Sequence, residues 1–250
     1  MRKALCLLPL LVLSLSACGE SVSEAVKDIK ATDGNGFADG KSVSTAAATT
    51  DPFEAVKALG PDNIIFVTGD AFTIKAEGNP KAVATLRYKI EDDAIIIGRI
   101  KGNWFGEEGK GVTVTITAPT LNSASLAGSG DFTADRMTGD DVEVKIAGSG
   151  SLNVANVDAK KLETKIAGSG DAVVSGKVDR ADFSVLGSGS VDAQKLTATD
   201  ADVSIAGSGD VRLNATGKVK AKVAGSGDIN VTGGATCDSK TMGSGNISCS

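Results

Sequence analysis

The tripeptide Gly-Ser-Gly recurs seven times in the second half of the chain, beginning at Gly128, Gly148, Gly168, Gly187, Gly207, Gly225 and Gly243. Its spacings are 20, 20, 19, 20, 18 and 18 residues. Self-similarity at such a period marks a stacked repeat whose single unit cannot bury its own apolar strip. Counting from the first glycine of each copy shows what the unit is. Two residues before it stand Leu126, Ile146, Ile166, Val185, Ile205, Val223 and Thr241. Four after it stand Phe132, Leu152, Ala172, Val191, Val211, Ile229 and Ile247, and six after it Ala134, Val154, Val174, Ala193, Leu213, Val231 and Cys249. Positions three and five before it are instead Ser, Lys, Glu or Asp in every copy. Alternation of period two on both sides of a tight turn is the signature of half-buried strands. The repeat predicts an all-β fold, a right-handed parallel β-solenoid with two strands per coil of 18–20 residues. Seven coils at a strand spacing of about 4.8 Å would extend roughly 34 Å. Both glycines fit a turn with positive φ, and the serines between them form a ladder of hydroxyls able to bond from coil to coil.

The rest of the chain is organised around this array. Residues 1–17 read as a secretory signal, with Arg2 and Lys3 ahead of an apolar stretch too short to span a bilayer. The stretch ends in Leu15-Ser16-Ala17-Cys18, a match to a bacterial lipobox, so Cys18 is the expected lipidation site and membrane anchor. Gly19 follows it instead of Asp, which by resemblance to Gram-negative lipoproteins implies an outer-membrane lipoprotein, on the periplasmic or cell-surface side. Residues 18–51 are poor in large apolar side chains and read as a flexible tether. Residues 52–120 lack the tripeptide but keep strand-like runs, including the Val/Thr alternation from Val112 to Ala118, and read as an irregular N-terminal cap with degenerate first coils. Residues 121–250 are the repeat solenoid. Its C-terminal edge has no evident cover and is left free to stack in a homo-oligomer.

Cys6 leaves with the signal and Cys18 takes lipid, which leaves Cys237 and Cys249, six residues before and six after Gly243. Both fall on inward columns. The turn should bring them face to face, and an oxidising compartment permits a disulfide that pins the last coil.

Charge and composition bound the function. A net charge of −5 with a pI near 4.9 argues against a nucleic-acid partner. The chain contains no histidine, so Ser–His and Cys–His nucleophiles and His-bearing metal sites are excluded. Coils this short leave no long loops to wall a catalytic cleft, and the reading is of a non-catalytic protein with no cofactor. Three residues after the first glycine, Asp131, Asp171, Asp210 and Asp228 alternate with Ser151, Ser190 and Asn246. Turn capping is their ordinary role, and calcium is the metal they would bind. Five residues before it, Glu143, Glu163, Asp182 and Asp202 place like charges on neighbouring rungs, with Lys145 and Lys165 beside the first pair and only serines beside the second. Trp104 and Phe105 sit in a glycine- and charge-rich loop, where an aromatic pair either covers the first coils or anchors a partner such as a surface glycan or protein.

The in-register copies, such as Ala127-Gly128-Ser129-Gly130-Asp131 and Ala224-Gly225-Ser226-Gly227-Asp228-Ile229-Asn230, together with the approach through Ala118-Pro119 and Leu121, resemble the bacterial auto-transporter adhesin, head GIN domain family over residues 52 to 250. That resemblance implies a β-solenoid on an exported, often lipid-anchored protein, without catalytic residues. The sequence thus points to a lipid-anchored envelope protein whose solenoid is an interaction or display surface, adhesive in kind. The alternative is a structural or calcium-responsive envelope module that self-associates end to end.

Overall fold

The computed structural model describes residues 37–100 and 111–250. The first strands are β1 (Lys41–Ser42), β2 (Ala48–Thr49), β3 (Ala55–Gly60), β4 (Asn63–Thr68), β5 (Thr73–Glu77), β6 (Leu86–Glu91), β7 (Ala94–Arg99) and β8 (Thr113–Ala118), with one short helix, α1 (Pro80–Val83). The repeats supply β9 (Ser123–Gly128), β10 (Phe132–Ala134), β11 (Met137–Gly148), β12 (Ser151–Gly168), β13 (Asp171–Gly187), β14 (Val191–Gly207), β15 (Val211–Ala215), β16 (Lys218–Gly225), β17 (Ile229–Thr232), β18 (Thr236–Gly243) and β19 (Ile247–Cys249). Apart from β1, β2, β5 and β6, every pairing is parallel. The expected parallel β-solenoid is the fold.

Two walls face each other across one core. Among the described residues, the first runs β1-β6-β7-β3-β9-β11-β12-β13-β14-β16-β18 and the second β2-β5-β8-β4-β10-β12-β13-β14-β15-β17-β19. The pairing is in register by sequence equivalence: Ile146 lies against Leu126 and Ile166, and Leu152 against Phe132 and Ala172. The inward columns expected from the alternation are buried in the first six copies of the repeat and open to solvent only in the last. Coil length decides what joins the walls. In coils of 19 or 20 residues, pairing continues around the far side as a short third wall, Met137–Gly139, Val157–Ala159, Gly176–Val178 and Leu196–Ala198, set off by bulges. The two 18-residue coils close there with tight turns instead, and their two strands are separate.

The Gly-Ser-Gly edge shows why two glycines are needed: both meet a carbonyl one coil below, and the first also needs a left-handed backbone. The first glycine of every copy has positive φ, from 121° at Gly187 to 145° at Gly128. The second does not; a Cβ there would strike the carbonyl of the second glycine one coil below. The bond between coils is made by the backbone. The Ser169 and Gly170 amides share the Gly148 carbonyl, at 2.9 and 3.1 Å, and the pattern repeats along the array. The serine side chains lie exposed outside this ladder, so it is their amides and not their hydroxyls that stitch it.

The N-terminal region threads out of sequence order. β3–β4 forms a coil lying between β9–β10 on one side and the later β7–β8 on the other. Gly60-Pro61-Asp62 occupies the place of a Gly-Ser-Gly turn: Gly60 has φ 120° and pairs with Gly128, while Asp62 stands where the second glycine would. Its carboxylate is buried and held by Arg99, whose Nε is 2.8 Å away, and by the Val112 amide at 3.1 Å. Beyond β7–β8 the chain reverses. β6 and β5 add antiparallel, and the two-residue strands β1 and β2 pair on them in turn. Those residues fall within the segment expected as tether; Phe37 and Val43 there are buried, so the ordered cap starts well before residue 52. Short edge strands resist edge-to-edge pairing.

Candidate functional site

Parallel stacking turns each outward sequence position into a column about 4.8 Å per rung, so surface chemistry is set by register. On the first wall the acidic column Glu143, Glu163, Asp182 and Asp202 is half-buried. Lys145 reaches Glu143 at 2.8 Å and Lys165 reaches Glu163 at 2.9 Å, as their neighbouring positions imply. The second pair is neutralised by residues the sequence reading passed over. Lys161 lies 3.3 Å from Asp182, Arg180 Nε lies 3.0 Å from Asp182, and Arg180 also binds Asp202. These cations stand seven residues before the first glycine, one alternation further along the same wall, and extending the column count by that step would have found them. Partly exposed pairs of this kind each contribute about 0.2–1 kcal/mol, so the network orders the wall more than it stabilises it.

Further along, the wall changes sign. Lys218, Lys220 and Lys222 all point outward from β16, and Lys240 follows on β18; all four are exposed, and none forms an ion pair among the described residues. In the same column Ser184 and Ser204 separate Lys165 from Lys222. Two short side chains between long ones leave a trough of about 290 Å³, bordered by Asp182, Asp202 and Lys220.

The third wall carries a second concavity, a groove of about 560 Å³. One side is the connection from β8 to β9, where the Leu121 carbonyl accepts from the Thr138 amide at 3.0 Å. Its floor presents alternating charges: Asp158 and Lys177 in one column, Asp140, Lys160 and Asp179 in the next. Lys160 donates to Asp140 at 2.8 Å, and that bond, with the neighbouring carboxylates Asp141 and Asp179, holds its ammonium above the ordinary lysine range. Arg136 lies 3.7 Å from Asp158. The groove depends on a connection that skips a coil, which periodicity does not reveal.

The candidate metal ligands are separated by their own bonding. Asp131 Oδ1 accepts from the Ser151 amide at 3.3 Å, Asp171 from Ser190 at 2.9 Å, Asp210 from Asp228 at 3.0 Å, and Asp228 from Asn246 at 2.9 Å. Each carboxylate caps the equivalent amide of the next coil, and Asn63 does the same for Asp131 at 2.9 Å. This is the capping role, made between coils. Among the described residues no three acidic or thiol groups converge. Cys237 and Cys249 form the expected disulfide across the last coil. Cys18, Trp104 and Phe105 lie outside the described residues. Among the described residues no helix is long and apolar enough to cross a membrane.

Comparison with known proteins agrees with this geometry. No curated protein matches the chain. Among solved structures, a "putative adhesin" from Bacteroides fragilis NCTC 9343 superposes with a TM-score of 0.74 at 24% identity, covering 83% of this chain and 100% of that one. A "putative lipid binding protein" from Parabacteroides distasonis ATCC 8503 gives 0.63 at 22% identity, covering 84% and 100%. A "putative adhesin" from the same organism gives 0.65 at 20%, covering 84% and 100%. At these identities the likeness is one of fold. Residues 52–235 match the family described as "Putative auto-transporter adhesin, head GIN domain", and the chain belongs to that family.

Proposed function

We propose that this is a lipid-anchored protein of the cell envelope whose solenoid is a non-catalytic, adhesive interaction surface. The observation that carries the reading is the fixed exposure of charge on a rigid scaffold. Backbone pairing along the first wall holds Glu143, Glu163, Asp182, Asp202 and the lysines of β16 at regular intervals, independent of any loop. Binding surfaces held on rigid elements lose little freedom on association. Membership of an adhesin family supports the same role. Cys18 and the lipobox support an anchor at the N-terminus.

The test is fractionation of cells with palmitate labelling, followed by protease treatment of intact cells. The expected result is a labelled outer-membrane protein that external protease removes, and that Cys18→Ser releases from the membrane. Full protection from external protease would remove the adhesive role.

A further inference from the structure

We propose that the lysine-bearing end of the first wall binds an anionic polysaccharide, a chain carrying regularly spaced carboxylate or sulfate groups. The inference rests on the display reading above and gives that surface a ligand class.

The patch is unusual for this chain. The protein is acidic overall, with a net charge of −5. In the repeat coils before β16, the wall's cations are committed to carboxylates: Lys145 to Glu143, Lys165 to Glu163, Lys161 and Arg180 to Asp182, and Arg180 to Asp202. Lys218, Lys220 and Lys222 break that rule. They alternate along one strand with Val219, Ala221 and Val223, which are buried, so all three ammonium groups emerge from the same face. Lys240 extends their field to β18, in register with Lys222. Lys222 and Lys240 oppose each other in register, a like-charge repulsion that an anionic partner would reverse, while Lys220 stands between Asp202 and Asp238.

The shape narrows the partner further. The trough over Ser184 and Ser204 continues the Lys222 column toward Lys165, roughly 14 Å away at three rungs. Its floor offers two hydroxyls, donors and acceptors suited to sugar hydroxyls and ring oxygens. Phe183 is buried beneath it, and the wall presents no aromatic face on which a base could stack, which disfavours single-stranded nucleic acid. A linear, repeating anion fits a cationic strand that leads into a trough floored by two serines, whose bordering carboxylates Glu163, Asp182 and Asp202 are neutralised by Lys165, Lys161 and Arg180.

The experiment measures binding of the full chain to dextran sulfate, with neutral dextran and polyglutamate as comparators, at two salt concentrations. The expected result is salt-sensitive binding to dextran sulfate, weakened at least about tenfold by the combined substitution Lys218→Gln, Lys220→Gln and Lys222→Gln. Lys160→Gln with Lys177→Gln, on the third wall, should leave binding unchanged. These side chains are exposed, and a melting curve confirms that the variants fold. Equal binding by the triple variant overturns the proposal, as does equal binding of neutral dextran, and binding of polyglutamate as tight as dextran sulfate replaces the polysaccharide with an acidic peptide. Protection of the protein from external protease, with dextran sulfate binding intact, defeats the display reading alone. Removal by protease with dextran sulfate ignored defeats only the lysine wall.

Discussion

At one end of the solenoid the stack is closed by reversing the chain, and at the other by changing the side chains. The β7–β8 end receives antiparallel β6 and β5, then the two-residue β1 and β2, and concentrates aromatic packing: Phe37, Phe53, Phe66 and Tyr88 are buried, and Phe53 meets Phe72 edge-on at 5.5 Å. The β18–β19 end has nothing over it among the described residues. There the inward positions held by Val219, Ala221 and Val223 one coil below become Cys237, Ser239 and Thr241. Polar terminal repeats keep such arrays soluble, and the Cys237–Cys249 bond replaces the neighbour that the last coil lacks. Closing an end by packing takes a non-repeating segment of many residues; closing it by composition and one covalent bond takes a single coil.

The contrast can be broken at four points, taken from the largest effect downward. In the middle of the array Gly187 has φ 121° and its Cβ would strike the Gly168 carbonyl, whereas at Gly60 nothing lies within 4 Å of the same atom. Gly187→Ala should therefore cost at least about 4 kcal/mol, and Gly60→Ala only the backbone strain of roughly 1–3 kcal/mol. Chemical denaturation of both variants measures this, and equal losses would show that stacking distance is not what selects glycine. Next comes the cap. Asp62→Ala removes the buried carboxylate that binds Arg99 and leaves the Val112 amide unbonded, for an expected loss of about 3 kcal/mol read from the same denaturation curves. Third, Cys249→Ser should lower stability by about 2–3 kcal/mol. Hydrogen exchange should localise that loss to β18 and β19, and equal deprotection of β1 and β6 would deny the two ends their separate closures.

The smallest effect is electrostatic. Lys89 hydrogen-bonds Asp39 and lies over the Phe37 ring at 5.8 Å, and that bond holds the Asp39 carboxyl below its ordinary range. A depressed folded-state pKa gives stability that is present above the unfolded value of about 3.9 and is lost as pH falls through the folded value. Asp39→Asn should therefore lower the melting temperature slightly at pH 7, and by progressively less as the pH falls below the unfolded value. A reversed order of those shifts would exclude the bond as a contributor to the cap.

How far the sequence speaks for each region follows from how repetitive the region is. In the coils, seven copies make any position readable by its column, and Ile146, Leu152 and Cys237 all lie where alternation puts them. The same counting, stopped one step short, overlooked Lys161 and Arg180. It also assigned positive φ to both glycines, because the carbonyl that excludes a side chain from the second belongs to another coil and leaves no local mark. The cap has no copies to compare. Gly60-Pro61-Asp62-Asn63 does echo Gly-Ser-Gly-Asp, yet nothing in the sequence tells that its coil pairs with a later one on each side. The groove beside Leu121 inherits that obscurity, since the skipped coil creates it.

The threading has a bearing on how the molecule is made. β4 needs β8 on one side and β10 on the other, so the oldest coil to leave the ribosome keeps one edge unsatisfied until residue 118 has emerged and the other until residue 134 has. Closing that coil takes two non-local pairings, the slow kind of step. Once it has closed, each later coil has a finished template directly beneath it and can be laid down as fast as it is delivered.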